Sequence, residues 1–146
     1  MAVSAQDVLG ESGYQADIEI RHDTESSQRG AALALFADRG ESGRLGADQA
    51  GGLRRRAESI GKHVAKQLLD ELASGATLDR FAADQIIPFA SLAEGTSRFI
   101  VPTVTDHVLT SAWLAETFLG ARVDIEGQRM TINGAAFRPN HDRTAG

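Results

Sequence analysis

Phe81-Ala82-Ala83-Asp84-Gln85-Ile86-Ile87-Pro88, followed 22 residues after Gln85 by His107-Val108-Leu109-Thr110, is the stretch on which the reading of this chain turns. Thr105 and Asp106 are good helix-capping residues, and apolar residues recur at helical spacing from His107 to Leu119, before Gly120. His107 is therefore predicted at a helix start, where unpaired backbone N–H groups and the helix dipole favour an anion. Upstream, Phe81, Asp84 and Gln85 fall at i, i+3 and i+4 of a helix predicted over Leu78–Ala93, so they share one face. A ring, a carboxylate and an amide so placed can stack a base, hold a divalent metal and hydrogen-bond a nucleotide. The same residues also suit a core Phe81 with Asp84 and Gln85 at a solvated edge.

Working outward, Ala2–Gly10 reads as a short helix. Ala16–His22 alternates apolar and polar as a half-buried strand does, and Asp23–Arg29 reads as a loop. Ala31–Ala37 is a more buried strand, and Arg44–Ala47 a third, weak one after the Gly40–Gly43 turn. Leu53–Ala73 carries the longest helical pattern, with Ile60, Val64, Leu68 and Leu72 on one side and Ser74-Gly75 as its stop. Thr77 can cap the following helix, Asp79 suits its first turn, and Pro88 is expected to kink or split it. Ser97–Val101 reads as a strand, and Arg122–Glu126 with Gln128–Asn133 as a hairpin around Gly127. The composition shift at Ser74–Ala76 divides the chain into two lobes.

The 146 residues, 42% hydrophobic, suit one compact domain or two small lobes. There is no cysteine, which excludes disulfides and thiolate metal sites. No segment reaches the ~20 apolar residues of a membrane span, and Met1–Gly13 lacks a signal-peptide pattern, so a cytoplasmic location is expected. A net charge of −5 argues against broad binding along a nucleic-acid backbone but permits recognition of one strand end. Arg54-Arg55-Arg56 reads as the solvated start of a helix. His22, His63 and His141 have no metal-ligand spacing, and the Gly40–Gly52 stretch has no phosphate-loop ending.

Leu72-Ala73-Ser74-Gly75-Ala76, Asp79-Arg80-Phe81-Ala82-Ala83-Asp84-Gln85, Ile86-Ile87-Pro88, His107-Val108-Leu109-Thr110 and Trp113 to Gly120 together resemble the C-terminal part of the RNA 3′-terminal phosphate cyclase family. The resemblance implies an α+β fold of two small helix-on-sheet lobes. Residues 1–75 would correspond to the family's insert domain, 76–136 to the last unit of its catalytic domain, and 137–146 to a frayed tail. It implies ATP-dependent conversion of an RNA 3′-phosphate to a 2′,3′-cyclic phosphate, a ligase reaction through an adenylylated histidine. His107 would be the catalytic nucleophile, Phe81, Ala82, Ala83, Asp84 and Gln85 would lie along the nucleotide, and Asp84 would contact Mg2+ or Mn2+. Where the family carries tyrosine this chain has Phe81, and where it favours Thr-Asn this chain has Thr110-Ser111. The family's glycine-rich N-terminal region has no counterpart here, so an N-terminal half or self-association is expected as partner, with the isolated chain inactive. The alternative is an inactive remnant or an RNA- or ribosome-associated binding module.

Overall fold

A computed structural model describes residues 1–27, 29–40 and 43–138. The chain divides after Gly75 into two compact units, each with its own hydrophobic core. The described residues form four α-helices and two small antiparallel sheets, an α+β fold.

In the first unit, α1 spans Ala2–Glu11 and α2 spans Ala57–Ala73, beside a hairpin of β1 (Ala32–Asp38) and β2 (Arg44–Ala50). Strand alternation sends Leu33 and Leu35 of β1, with Leu45 and Ala47 of β2, to one face. There they meet Ile60, Val64 and Leu68 of α2 and Ala5 and Leu9 of α1. The hairpin closes on Asp38 opposite Arg44, whose guanidinium donates to the Asp38 carboxylate at 2.9 Å and lies over the Phe36 ring at 4.8 Å. Arg44, and then the Gly40 N–H, hold the Asp38 carboxyl below the usual carboxylate range. A lowered folded-state pKa stabilises above the unfolded value and is lost as pH falls through the folded one. We therefore expect acidification through that lowered value to loosen this end of the hairpin without unfolding the unit, because the pair is exposed. Loss of amide protection at Arg39 and Gly43 before that at Leu35 would be the sign in an exchange titration.

Two expectations for this unit are corrected. Ala16–His22 is not a strand: it pairs with no strand among the described residues, although Ala16 and Ile18 still pack on the core. Alternation records which side chains turn inward, whereas a strand also needs a hydrogen-bonded neighbour. The long helix starts at Ala57 rather than Leu53, because Arg54 takes φ +66 and Leu53 is fully exposed. Arg54–Arg56 thus form an exposed approach to α2.

The second unit holds a sheet in the order β3 (Thr96–Ile100), β5 (Arg129–Asn133), β4 (Arg122–Glu126). The β4–β5 hairpin turns at Gly127, as expected, with φ +58. Two helices pack with this sheet: α3 (Ala82–Leu92) and α4 (Asp106–Leu114), the latter running on as a π-helical turn over Ala115–Leu119 that Gly120 ends at φ +70. Ala83, Ile87 and Ala90 of α3 and Val108 of α4 close over Met130 and Ile132 of β5. Pro88 neither splits nor ends α3 but sits on its exposed side. The expected frayed tail from residue 137 is tied at its start, Phe137 N–H donating to the Leu92 carbonyl at 3.0 Å. Residues 139–146, including His141, lie outside the described residues.

Candidate functional site

The helix that carries Phe81 to Gln85 begins later than its pattern suggests. Asp79, rather than Thr77, caps it: one carboxylate oxygen accepts from Phe81 N–H at 3.0 Å and Ala82 N–H at 2.8 Å. Thr77 instead bonds to the end of β3. Its N–H donates to the Ile100 carbonyl at 2.8 Å, and its hydroxyl oxygen accepts from Ile100 N–H at 2.9 Å. Thr77→Val keeps the shape and orphans that half-buried donor, so a loss of roughly 1–2 kcal/mol in chemical denaturation is expected.

Phe81 therefore stands at the cap of α3 rather than inside it, but with helical φ −87 and ψ −34, so its spacing to Asp84 and Gln85 is kept. Its ring is 47% exposed and outside the core, which removes the reading of Phe81 as a core residue. Ala82 and Asp84 are half-buried and Gln85 is exposed. Ala83 differs: its methyl is fully buried in the core and its N–H donates to the Asp79 carbonyl at 3.1 Å. Pro88, four residues on, has no N–H to give the Asp84 carbonyl.

His107 is the second residue of α4 and is exposed. The Thr105 hydroxyl accepts from Val108 N–H at 3.3 Å, and the Thr105 carbonyl accepts from Leu109 N–H at 3.0 Å. Two of the first-turn donors are thus satisfied, and those of Asp106 and His107 lie outside the helix's own bonding. Val108, next to His107, and Ala83, next to Asp84, belong to one buried cluster. The two stretches singled out in the sequence are therefore carried by packed neighbouring helices of a single unit.

The sequence pattern of α4 concealed one feature. Val108, Ala112 and Ala115 are buried, whereas Leu109, Trp113, Leu114 and Phe118 are exposed, as is Phe89 on α3. The signal was an excess of apolar residues around the helix, more than a single inward stripe takes up. Among the described residues no three His, Cys, Asp or Glu side chains gather into a metal-binding group, and no helix is long and apolar enough to cross a membrane.

Comparison with known proteins places this α+β arrangement. The family model described as RNA 3′-terminal phosphate cyclase matches residues 5–125, and the chain belongs to that family. It is 39% identical over 110 residues to the RNA 3′-terminal phosphate cyclase of Methanopyrus kandleri, a match covering 75% of this chain and 31% of that protein. The proteins of the same name from Methanothermobacter thermautotrophicus and Archaeoglobus fulgidus are 37% and 36% identical, with 88% and 90% of this chain covered. Of those two relatives the matches cover 37% and 38%, so the chain spans about a third of the length of the curated relatives it matches.

Proposed function

We propose that this chain is the histidine-bearing C-terminal part of an ATP-dependent RNA 3′-terminal phosphate cyclase that works together with the family's N-terminal half. The observation that carries the reading is His107, exposed at the start of α4, on a helix packed beside the one that presents Phe81, Asp84 and Gln85. The imidazole nitrogen attacks the α-phosphorus of ATP, a nitrogen–phosphorus bond forms, and the bond to pyrophosphate breaks. The adenylyl group then moves to an oxygen of the RNA 3′-phosphate. The neighbouring 2′-hydroxyl closes the 2′,3′-cyclic phosphate and AMP departs.

Each residue has a part suited to where it lies. The Asp106 and His107 N–H groups and the α4 dipole steady a phosphate. The open Phe81 ring stacks the base, Gln85 hydrogen-bonds the nucleotide, and Ala82 and Ala83 shape the start of α3 beneath it. Asp84 would hold Mg2+ or Mn2+, which offsets triphosphate charge; one carboxylate is enough only if phosphate oxygens and water complete the shell. Residues 1–75 then stand for the insert domain and 76–136 for the last catalytic unit. The exposed Trp113, Phe118 and Phe89 supply the apolar surface that an N-terminal half, or a second copy, would cover. A cytoplasmic setting belongs to the same reading.

The test is covalent adenylylation of the chain, with and without a family N-terminal half, read by intact mass against His107→Ala. Absence of an adduct from a folded, complexed protein would leave an inactive remnant or an RNA- or ribosome-associated binding module in its place.

A further inference from the structure

Charge is unevenly placed in the first unit. Residues 54–66 carry Arg54, Arg55, Arg56, Lys62 and Lys66, five cations that include both lysines of the chain, against one carboxylate, Glu58. All five cations are exposed, as is His63, and none of them forms an ion pair among the described residues. Lys66 stands four residues from Lys62 and three from His63, so the three share the outward side of α2, opposite the buried Ile60, Val64 and Leu68. Arg54–Arg56 stand in front of the helix N-terminus, which no side chain caps and where the helix dipole adds positive potential. Arg56 to Lys66 spans about 15 Å of helix. Asp70, four residues beyond Lys66, ends the basic run with a negative charge. Apart from Glu58, Asp70 and the buried Glu71, the carboxylates of this unit lie on α1, in residues 17–25 and in the β1–β2 hairpin. A net charge of −5 thus conceals a basic face.

We infer that this face binds the phosphodiester backbone of RNA upstream of its 3′ end, so that the first unit holds the body of the substrate while His107 works on its terminus. The inference rests on the reading of this chain as part of an RNA 3′-phosphate cyclase. Charge complementarity carries it: cations without carboxylate partners, gathered on one side of an otherwise acidic chain, attract a polyanion and release its counterions. The composition of the face says which part of the RNA is met. Residues 54–66 contain no Phe, Tyr or Trp on which a base could stack, so the contacts are to phosphates and fix position rather than sequence. Arginine forks can grip a phosphate through two N–H groups, and the two lysines add point charges further along the ridge. An anionic membrane is the other extended polyanion, but a helix lying on lipid needs an apolar face to bury. The apolar side of α2 is already taken up by the core, and Leu53 is the one exposed large apolar side chain beside the basic run.

Fluorescence anisotropy of the full chain with a labelled stem-loop RNA ending in a 3′-phosphate, followed across a range of KCl, tests this. Lys62→Gln with Lys66→Gln is expected to weaken binding about tenfold at low salt. It should also lower the slope of log affinity against log salt by about two, one for each lost phosphate contact. Exchanging base pairs within the stem should leave the affinity as it was. Arg21→Gln with Arg29→Gln removes the same charge elsewhere in the unit and should leave the slope unchanged. All four positions are exposed, so the unit keeps its fold, which circular dichroism verifies. An equal fall in both double variants would reduce the effect to net charge and overturn the inference. So would an RNA that does not bind, an unchanged slope in the lysine variant, or lysine-dependent binding that is tighter to phosphatidylserine vesicles than to RNA. Adenylylation with the N-terminal half and ATP needs no RNA and is scored separately. An adduct together with an unchanged slope removes the RNA face and keeps the cyclase reading. A slope that depends on Lys62 and Lys66, without any adduct, keeps the face as an RNA-binding surface and removes the cyclase reading.

Discussion

His107→Ala is expected to leave the chain without covalent AMP under conditions where the unaltered protein, mixed with a family N-terminal half, ATP and Mg2+ or Mn2+, gains the mass of one adenylyl group. Removing a nucleophile leaves no second route to the same bond, so the loss should be roughly a thousandfold or more. The substitution is structurally mild. His107 is exposed, the cap is made by Thr105 and Val108, and alanine is the better helix former. A folded mutant without adduct therefore reports on chemistry rather than stability. The bond also has a signature, since a phosphoramidate is released by acid and survives alkali, unlike an ester. Asp84→Asn in the same assay is expected to raise the metal concentration needed for half-maximal labelling while His107 still accepts AMP. If the mutant carries as much AMP as the parent, His107 is not the nucleophile, whatever the family pattern implies.

Gly134→Ala is expected to be the most damaging single-methyl change in the second unit. A Cβ there would lie 2.1 Å from the Ala93 carbonyl oxygen and 2.7 Å from that of Ala90, both fixed by the end of α3. Neither atom is the free end of a side chain, so the backbone must separate. That separation would also pull on a set of bonds that closes the helix: Gly134 N–H to Gly95, Ala135 N–H to Ser91, and Phe137 N–H to Leu92, at 2.9, 2.8 and 3.0 Å. The Ala135 and Phe137 donors satisfy carbonyls that a helix end otherwise leaves open. Overpacking and weakened hydrogen bonds together should cost roughly 3–4 kcal/mol. Gly120→Ala is the contrast: its φ of +70 is strained for alanine, but nothing lies within 4 Å, so about 1 kcal/mol is expected. Exchange rates at the Met130 and Ile132 amides would rank the two. Equal effects would mean that close approach at Gly134 is not what shapes this end of α3.

The candidate site was legible because its information is local. The spacing of Asp84 and Gln85, and the Thr105 cap in front of His107, need only helix geometry to be read, and α3 and α4 keep both. What was not legible depended on partners remote in sequence. Thr77 looks like a cap, yet the Ile100 backbone takes its hydroxyl and leaves the capping to Asp79. Phe81 could have been core or surface by pattern alone; Ala83 and Ile87, two and six residues further on, fill the space against Met130 instead. The apolar residues of α4 suggested one buried face, whereas the core takes in Val108 and Ala115, with Leu119 packed against it, and leaves Trp113 and Phe118 outside.

By itself the sequence determined the α+β class, the β4–β5 hairpin at Gly127, the end of α2 at Ser74–Gly75 and the helix start that presents His107, since turn glycines, caps and periodicity act between near neighbours. Tertiary structure alone decided that Ala16–His22 runs unpaired, that Ala83 faces inward while Phe81 stays open, and that α3 and α4 share one core. Those outcomes depend on which surfaces are available to be buried and which backbone groups remain to be paired. Both are properties of the assembled chain rather than of any short segment in it.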